Sequence, residues 1–359
     1  MLFPGSARKN TAFPLPTPRM SWPTPLNPSA KGPGTARPRW RWLLALFLTW
    51  SAAIADPVNV VEDLVLNDAA RDRQVPLKIY YPQQERPGGY PVVIFSHGSG
   101  GSKDGYEYLG RFWAENGYVV IHVTHIEVGL SIVTINSGAN SPAAVKAAKE
   151  DPVINRPQDI SFIIDSLPSI ARARPDLGDR MDSTRIGVAG HSFGAYTAMA
   201  VAGAVIHLPR GETRTFGDPR VKAFIALSPQ GPGINGFAID SWAPITRPML
   251  TISGTEDRIG VRNGDPAEHL QPFKHMPPAG KFQVTVPGVT HNGFGDSRLD
   301  GTPSHEFIKR VGLAFWDTAL RENDPSATNF QRALAEKGIS DNGGGNLAGV
   351  GAMAELKSK

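Results

Sequence analysis

Short, unbroken apolar runs alternate along this chain with stretches whose apolar positions recur every three or four residues. Val92-Val93-Ile94-Phe95 is one such run, bounded by Pro87-Gly88-Gly89 before it and a Gly-rich loop after it. Continuous apolar runs of this length predict strands buried on both faces. Further strands are predicted at Val58 to Leu66, Leu77 to Tyr81, Tyr118 to His122, Arg185 to Ala189, Val221 to Leu227, Met249 to Ser253 and Phe282 to Val286. The first two are read as an antiparallel pair around a polar turn at Asn67 to Gln74. Helices are predicted at Tyr106 to Asn116, Arg156 to Leu167 with its stripe Ile160, Ile163, Ile164 and Leu167, Tyr196 to Val205, His305 to Arg321 and Asn329 to Lys337. Between them, Ile126 to Asn155 has no clean period and is read as a loop with a short helix from Pro142 to Lys149. Ala171 to Arg185 and Leu208 to Pro219 read as polar connections. The alternation predicts an α/β domain with a mostly parallel central sheet and helices on both faces.

One stretch carries chemistry as well as pattern. Arg185-Ile186-Gly187-Val188-Ala189 runs into Gly190-His191-Ser192-Phe193-Gly194 and then into a small-residue helix. A sharp strand-to-helix turn lifts Ser192 clear of the sheet, which a hydroxyl needs before a base can activate it. Gly190 and Gly194 let strand and helix approach closely. The backbone N–H of Phe193 falls at a helix N-terminus, where it can face a developing oxyanion. Among the histidines, His291 stands on the loop after the last predicted parallel strand, between Gly288 and Gly293, and is the candidate base. His97 and His191 belong to the glycine-rich loop and the elbow, and His207, His269, His275 and His305 lie off strand ends. His122 and His125 close a strand, but their spacing sends them to opposite faces, so structural or pocket-lining roles outrank metal binding.

With these motifs in this order, residues from about Val58 to Arg321 resemble the α/β-hydrolase superfamily. The resemblance is to exported serine esterases grouped near dienelactone hydrolase, platelet-activating-factor acetylhydrolase and cutinase-like polyester hydrolases. It implies the α/β-hydrolase fold and places the second oxyanion donor at the residue after His97-Gly98, the backbone N–H of Ser99. Asp257 matches the Gly-x-x-Asp placement of the orienting acid in Gly254-Thr255-Glu256-Asp257, and Asp240 is the alternative position. The expected activity is cleavage of a small-molecule or polymeric ester through an acyl-enzyme, with Ser192, His291 and Asp257 catalytic and no cofactor or metal. Dienelactone hydrolase proper uses a cysteine nucleophile, and this chain has none, so the likeness to that enzyme is one of scaffold. Arg156 and Asp159 resemble an Arg-x-x-Asp pair at this helix start in related hydrolases and are read as structural. His125, Gln230 and Trp242 are candidate substrate-binding residues, with Ser99, Phe193 and Phe294 as further wall positions. A serine peptidase of the same fold and a catalytically silent binding module are the competing functions.

Charge and composition alter the picture only at the start of the chain. The formal charge is +4 and the isoelectric point about 9.2. Residues 1–55 hold seven basic and no acidic side chains, leaving 30 basic against 33 acidic in the remainder. The excess therefore belongs to the leader and gives no reason to expect a nucleic-acid partner. Arg37 to Arg41, the apolar run Trp42 to Trp50 and the Ala53-Ile54-Ala55 site predict a signal peptide cleaved near Ala55. An uncleaved anchor is the alternative, and Met20 is an alternative start. The expected division is a leader at 1–55, a catalytic domain at 56–323 and a partly mobile tail at 324–359 around Gly343-Gly344-Gly345. Export to the periplasm or outside is expected, without stable membrane insertion once the leader is gone. With no cysteine, stability must come from a packed core.

Overall fold

Strand β3 (Tyr90–Ser96) is buried at every position, and its side chains feed two separate cores. Val92 and Ile94 join a cluster on one face, while Val93 and Phe95 join a cluster on the other. Period-two alternation puts successive residues on opposite faces, so an all-apolar strand requires cover on both sides. Each such side chain is worth about 1.5–3 kcal/mol when taken fully out of water. The computed structural model describes residues 57–127, 151–261, 264–296, 302–341, 346–349 and 352–359. These all fall within one compact unit. The leader and signal peptide expected at 1–55, the helix expected at Pro142 to Lys149 and Gly343 to Gly345 lie outside the described residues.

The strands are β1 (Val58–Asp68), β2 (Arg73–Pro82), β3, β4 (Val119–Val123), β5 (Met181–His191), the small hairpin β6 (Ile206–His207) and β7 (Thr213–Arg214), β8 (Val221–Leu227), β9 (Met249–Glu256), β10 (Lys281–Thr290), β11 (Ser340–Asp341), β12 (Asn346–Gly349) and β13 (Ala352–Ser358). All but the hairpin form one 11-stranded sheet in the order β1-β2-β4-β3-β5-β8-β9-β10-β13-β12-β11. From β4 to β10 every pairing is parallel. Antiparallel strands flank this block on both edges. Helices α2 (Pro152–Ala173) and α3 (Phe193–Ala202) cover one face. Helices α1 (Glu107–Glu115), α4 (Thr302–Trp316) and α5 (Ala327–Glu336) cover the other. The arrangement is the α/β-hydrolase fold. No helix among the described residues is long and apolar enough to cross a membrane.

Local chemistry explains where elements depart from the pattern-based boundaries. The turn expected at Asn67 to Gln74 is tighter, because β1 and β2 pair as far as Asp68 and Arg73. Asp68 Oδ1 accepts from the backbone of Ala70 and Arg71, closing the reversal. Helix α2 begins before Arg156: Asp151 caps it through Val153 N at 2.7 Å, and Pro152 occupies the first turn. Strand β5 starts at Met181 within a segment expected as a polar connection, because Tyr90 and Pro91 of β3 pair with Met181 and Asp182. Helix α3 starts at Phe193 and ends at Ala202, before Gly203 at φ 106°.

The largest departure lies after Asn323. Three strands there extend the sheet, and β13 pairs with β10 through Phe282↔Ser358 to Thr285↔Glu355. Lys359 and Lys281 exchange backbone hydrogen bonds at 3.0 and 3.1 Å. Ala354 is buried in the core cluster and Leu356 packs against it, so this segment is integral to the sheet instead of a tail beside it.

Candidate active site

Ser192 stands between β5 and α3 at φ 55° and ψ −116°, a region that L-residues avoid unless their surroundings enforce it. The enforcement comes from two missing side chains. A Cβ on Gly190 would collide with the Gly194 carbonyl, and one on Gly194 with the carbonyl oxygen of Ser96. Strand, helix and the start of the β3 loop can meet this closely only where both residues are glycine. Ser192 N also donates to Leu227 O at 3.0 Å, tying the elbow to β8.

Three neighbouring strands bring the partners. His291 opens a 3-10 turn after β10, Asp257 follows β9, and Ser228 follows β8 at φ 52°. Ser192 Oγ lies 2.9 Å from His291 Nε2, and His291 Nδ1 lies 2.9 Å from Asp257 Oδ1. The carboxylate can only accept, so Nδ1 carries the proton and Nε2 is left to accept from the serine hydroxyl. Ser228 Oγ is 3.1 Å from the same Nδ1. Burial alone would raise the Asp257 carboxyl, but the neighbouring His269 and His291 rings and the Ser228 hydroxyl outweigh it and hold the group well below the ordinary carboxylate range. It therefore stays an anion beside the imidazole. The alternative acid, Asp240, is largely exposed and pairs with His207 at 3.1 Å.

A second histidine borders the first. The His191 ring lies 4.7 Å from that of His291, and burial lowers its pKa to about 3. The Tyr106 hydroxyl and His191 Nδ1 share a hydrogen bond at 2.7 Å, and burial raises the tyrosine pKa to about 12. Burial thus favours a neutral ring beside His291.

The oxyanion candidates sit on either side of the elbow. Phe193 begins α3, where first-turn N–H groups lack an intrahelical acceptor. Ser99 lies in the loop after β3, exposed. That loop is braced from below. Arg156 donates to His97 O at 2.6 Å and to Gly98 O at 3.3 Å, and pairs with Glu127. His125 N donates to His97 Nε2 at 3.0 Å. Arg156 and Asp159 do not pair with each other: Asp159 is held by Arg71, Arg73 and His125, each within 2.9 Å.

The three residues expected to bind substrate are all buried in this structure. His125 is 3% exposed and bridges Ser96 Oγ at 2.9 Å to Asp159 Oδ2 at 2.8 Å. These are the residue types and spacings of a proton relay, but Ser96 and Asp159 are sealed from solvent, so the array fastens the loop to α2. Trp242 is wholly buried against Phe237 and His275. Gln230, two residues past Ser228, is also buried. Strand-end position alone does not say whether a side chain reaches the cleft. Two site neighbours escaped the sequence reading: Ser228, signalled only by a serine closing an apolar strand, and His269, in a loop with no periodic signal. Among the described residues, no group of three or more His, Cys, Asp or Glu could hold a metal ion.

Residues 54–150 match the family model described as platelet-activating factor acetylhydrolase, isoform II. That region takes in β1 to β4 and the loop after β3 that holds Ser99. Over 254 residues, 70% of its length, the chain is also 26% identical to Cutinase 1 of Thermobifida cellulosilytica, covering 76% of that protein. It is likewise 26% identical to the Cutinase of Thermobifida fusca (strain YX), covering 66% of it. The chain falls in the α/β-hydrolase esterase group. For an α/β-hydrolase esterase, the strand-end positions of Ser192, Asp257 and His291 follow the general rule that open parallel sheets carry their sites beyond the strands' carboxyl ends.

Proposed function

We propose that the protein hydrolyses carboxylic esters through an acyl-enzyme formed on Ser192. His291 Nε2 takes the hydroxyl proton as Ser192 Oγ attacks the ester carbonyl, and Asp257 stabilises the imidazolium that results. The backbone N–H groups of Phe193 and Ser99 hold the tetrahedral oxyanion. Collapse expels the alcohol, which receives the proton from His291. Water, activated by the same nitrogen, then attacks the acyl carbon and releases the acid and the free serine.

The observation that carries this reading is the pair of 2.9 Å contacts linking Ser192 Oγ, His291 and Asp257 in sequence. The cutinase names of the relatives make exposed polyesters a candidate substrate class beside short and medium acyl esters. The basic leader and its small-residue site support action after export, with the mature protein starting near Asp56. Hydrolysis of p-nitrophenyl esters of graded acyl length, compared between the parent and Ser192→Ala, tests the proposal. Ester turnover that survives the substitution at the parent rate refutes it, as does failure of a fluorophosphonate probe to label Ser192.

A further inference from the structure

Two successive residues at the end of β8 meet the two groups that exchange the proton. The carbonyl oxygen of Leu227 accepts from Ser192 N at 3.0 Å, and the Ser228 hydroxyl stands 3.1 Å from His291 Nδ1. Ser228 is wholly buried and adopts φ 52°, a left-handed conformation that strains a residue with a Cβ. Its N–H donates to Ile252 O at 2.7 Å. Ile252 lies on β9, the strand that delivers Asp257, so the strained backbone is pinned between central strands. Glycine would hold the same backbone without strain. An outlier set in rigid structure beside reacting groups therefore points to work done by the side chain.

The base has the opposite setting. His291 opens a short 3-10 turn that contains Gly293 and follows Gly288 at φ 72°, a more pliant mount than a strand end. Its Nδ1 proton faces two acceptors, Asp257 Oδ1 at 2.9 Å and Ser228 Oγ at 3.1 Å. One contact at Nδ1 leaves an imidazole free to swing about that point and carry Nε2 away from Ser192. A second acceptor, fixed on a different strand, removes that freedom, and small misplacements of a reacting group are costly in rate. The hydroxyl keeps its own proton and lies close enough to Asp257 to help hold the carboxylate charged. We infer that Ser228 is a positioning residue that locks the His291 ring in register with Ser192. The end of β8 then holds the nucleophile through Leu227 O and the base through Ser228 Oγ. The inference rests on the Ser192, His291 and Asp257 reading and adds a fourth member to it.

The test is kcat and KM for p-nitrophenyl butyrate, together with melting temperature, in the parent, Ser228→Ala and Ser228→Gly. Both substitutions remove the hydroxyl, but only alanine keeps the backbone strain. In both, kcat is expected to fall by about tenfold, the scale of losing one hydrogen bond to a ring that becomes charged during the reaction. KM should stay near the parent value, because a misaligned base slows the chemical step and leaves ester binding alone. Ser228→Gly should melt above Ser228→Ala. A rate loss shared by variants of unequal stability separates positioning from a merely structural role, in which kcat would recover as the backbone relaxes. Parent kcat in either variant overturns the inference, as does recovery of kcat in Ser228→Gly relative to Ser228→Ala, or an effect confined to KM. A glycine variant no more stable than the alanine one removes the strain on which the argument stands and overturns it too. Should Ser228→Ala fail to fold, Ser228→Gly decides alone by its kcat and KM. Ser192→Ala, measured alongside, keeps two failures apart. Turnover at the parent rate there removes the acyl-enzyme scheme, whereas its loss there with unchanged kcat in the Ser228 variants removes only the role given to Ser228.

Discussion

The guanidinium carbon of Arg156 lies 4.3 Å from the centre of the Phe193 ring, while the same group binds the carbonyls of His97 and Gly98. One buried side chain thus touches both segments from which the proposed oxyanion donors come. Arg156→Lys keeps the charge but loses the planar fork that serves two carbonyls at once. It should lower kcat on p-nitrophenyl esters by about ten- to a hundredfold, short of the ~10²–10³ for deleting a donor outright. Little change in KM is expected. Unaltered kcat in a folded variant would show that the loop holds its shape without the clamp.

Removal of the Asp257 carboxylate, the proposed orienting acid, gives a sharper expectation. Asp257→Asn replaces the acceptor at His291 Nδ1 with a group that can present a donor, and should reduce kcat by about 10⁴-fold while sparing the fold. Asp240→Asn, at the exposed site paired to His207, should leave turnover near the parent value. Steady-state kinetics on both variants discriminates the two carboxylates directly.

The elbow glycines differ from glycines elsewhere in the chain. Gly194→Ala forces a methyl into the Ser96 carbonyl, where neither backbone can yield, and should destabilise at or beyond the upper end of about 1–3 kcal/mol for overpacking. Gly203→Ala meets open space and suffers only its φ of 106°, a strain on the order of 1–2 kcal/mol. Thermal melts of the two should separate them, and equal melting temperatures would contradict the close-approach account.

Four buried histidines should make the fold sensitive to acid. Burial, the main cause in each case, lowers His97 to about 2, His191 to about 3, and His122 and His125 to about 4. In the unfolded chain each takes up a proton near pH 6.5, while the folded protein does not. Above that pH they contribute no pH dependence; below it, stability falls as pH falls, by up to about 1.4 kcal/mol per pH unit per histidine, until the folded groups titrate. Melting temperature should therefore drop steeply between pH 6.5 and 4, well before Asp159, held near 2 against burial by His125 and Arg73, gives up its ion pairs. A flat melting temperature across that window would be inconsistent with neutral buried rings.

The parallel strands were readable because a strand covered on both faces needs an unbroken apolar run, and Val92 to Phe95 or Val221 to Leu227 allow little else. The positions of Ser192, Asp257 and His291 were readable for a related reason: each follows such a run directly. His125, Gln230 and Trp242 follow the same logic of position, yet the structure buries them, because whether a side chain turns into the cleft or under it depends on neighbours distant in sequence. His269 illustrates the converse, meeting Asp257 only through the path of a loop. The closing strands were hidden by glycines around them, although Ala352 to Ser358 carries a partial alternation that Ala354 and Leu356 bury.

Adjacency in the sheet has a final consequence. Strands β5, β8, β9 and β10 are successive neighbours, and each delivers one of Ser192, Ser228, Asp257 and His291 at its end. The sheet works as a ruler in which one residue advances the chain by about 3.3 Å and reverses the side on which its side chain emerges. Lengthening or shortening any of these strands by a single residue would carry its group out of reach, whereas surface loops on the opposite rim can be recut freely.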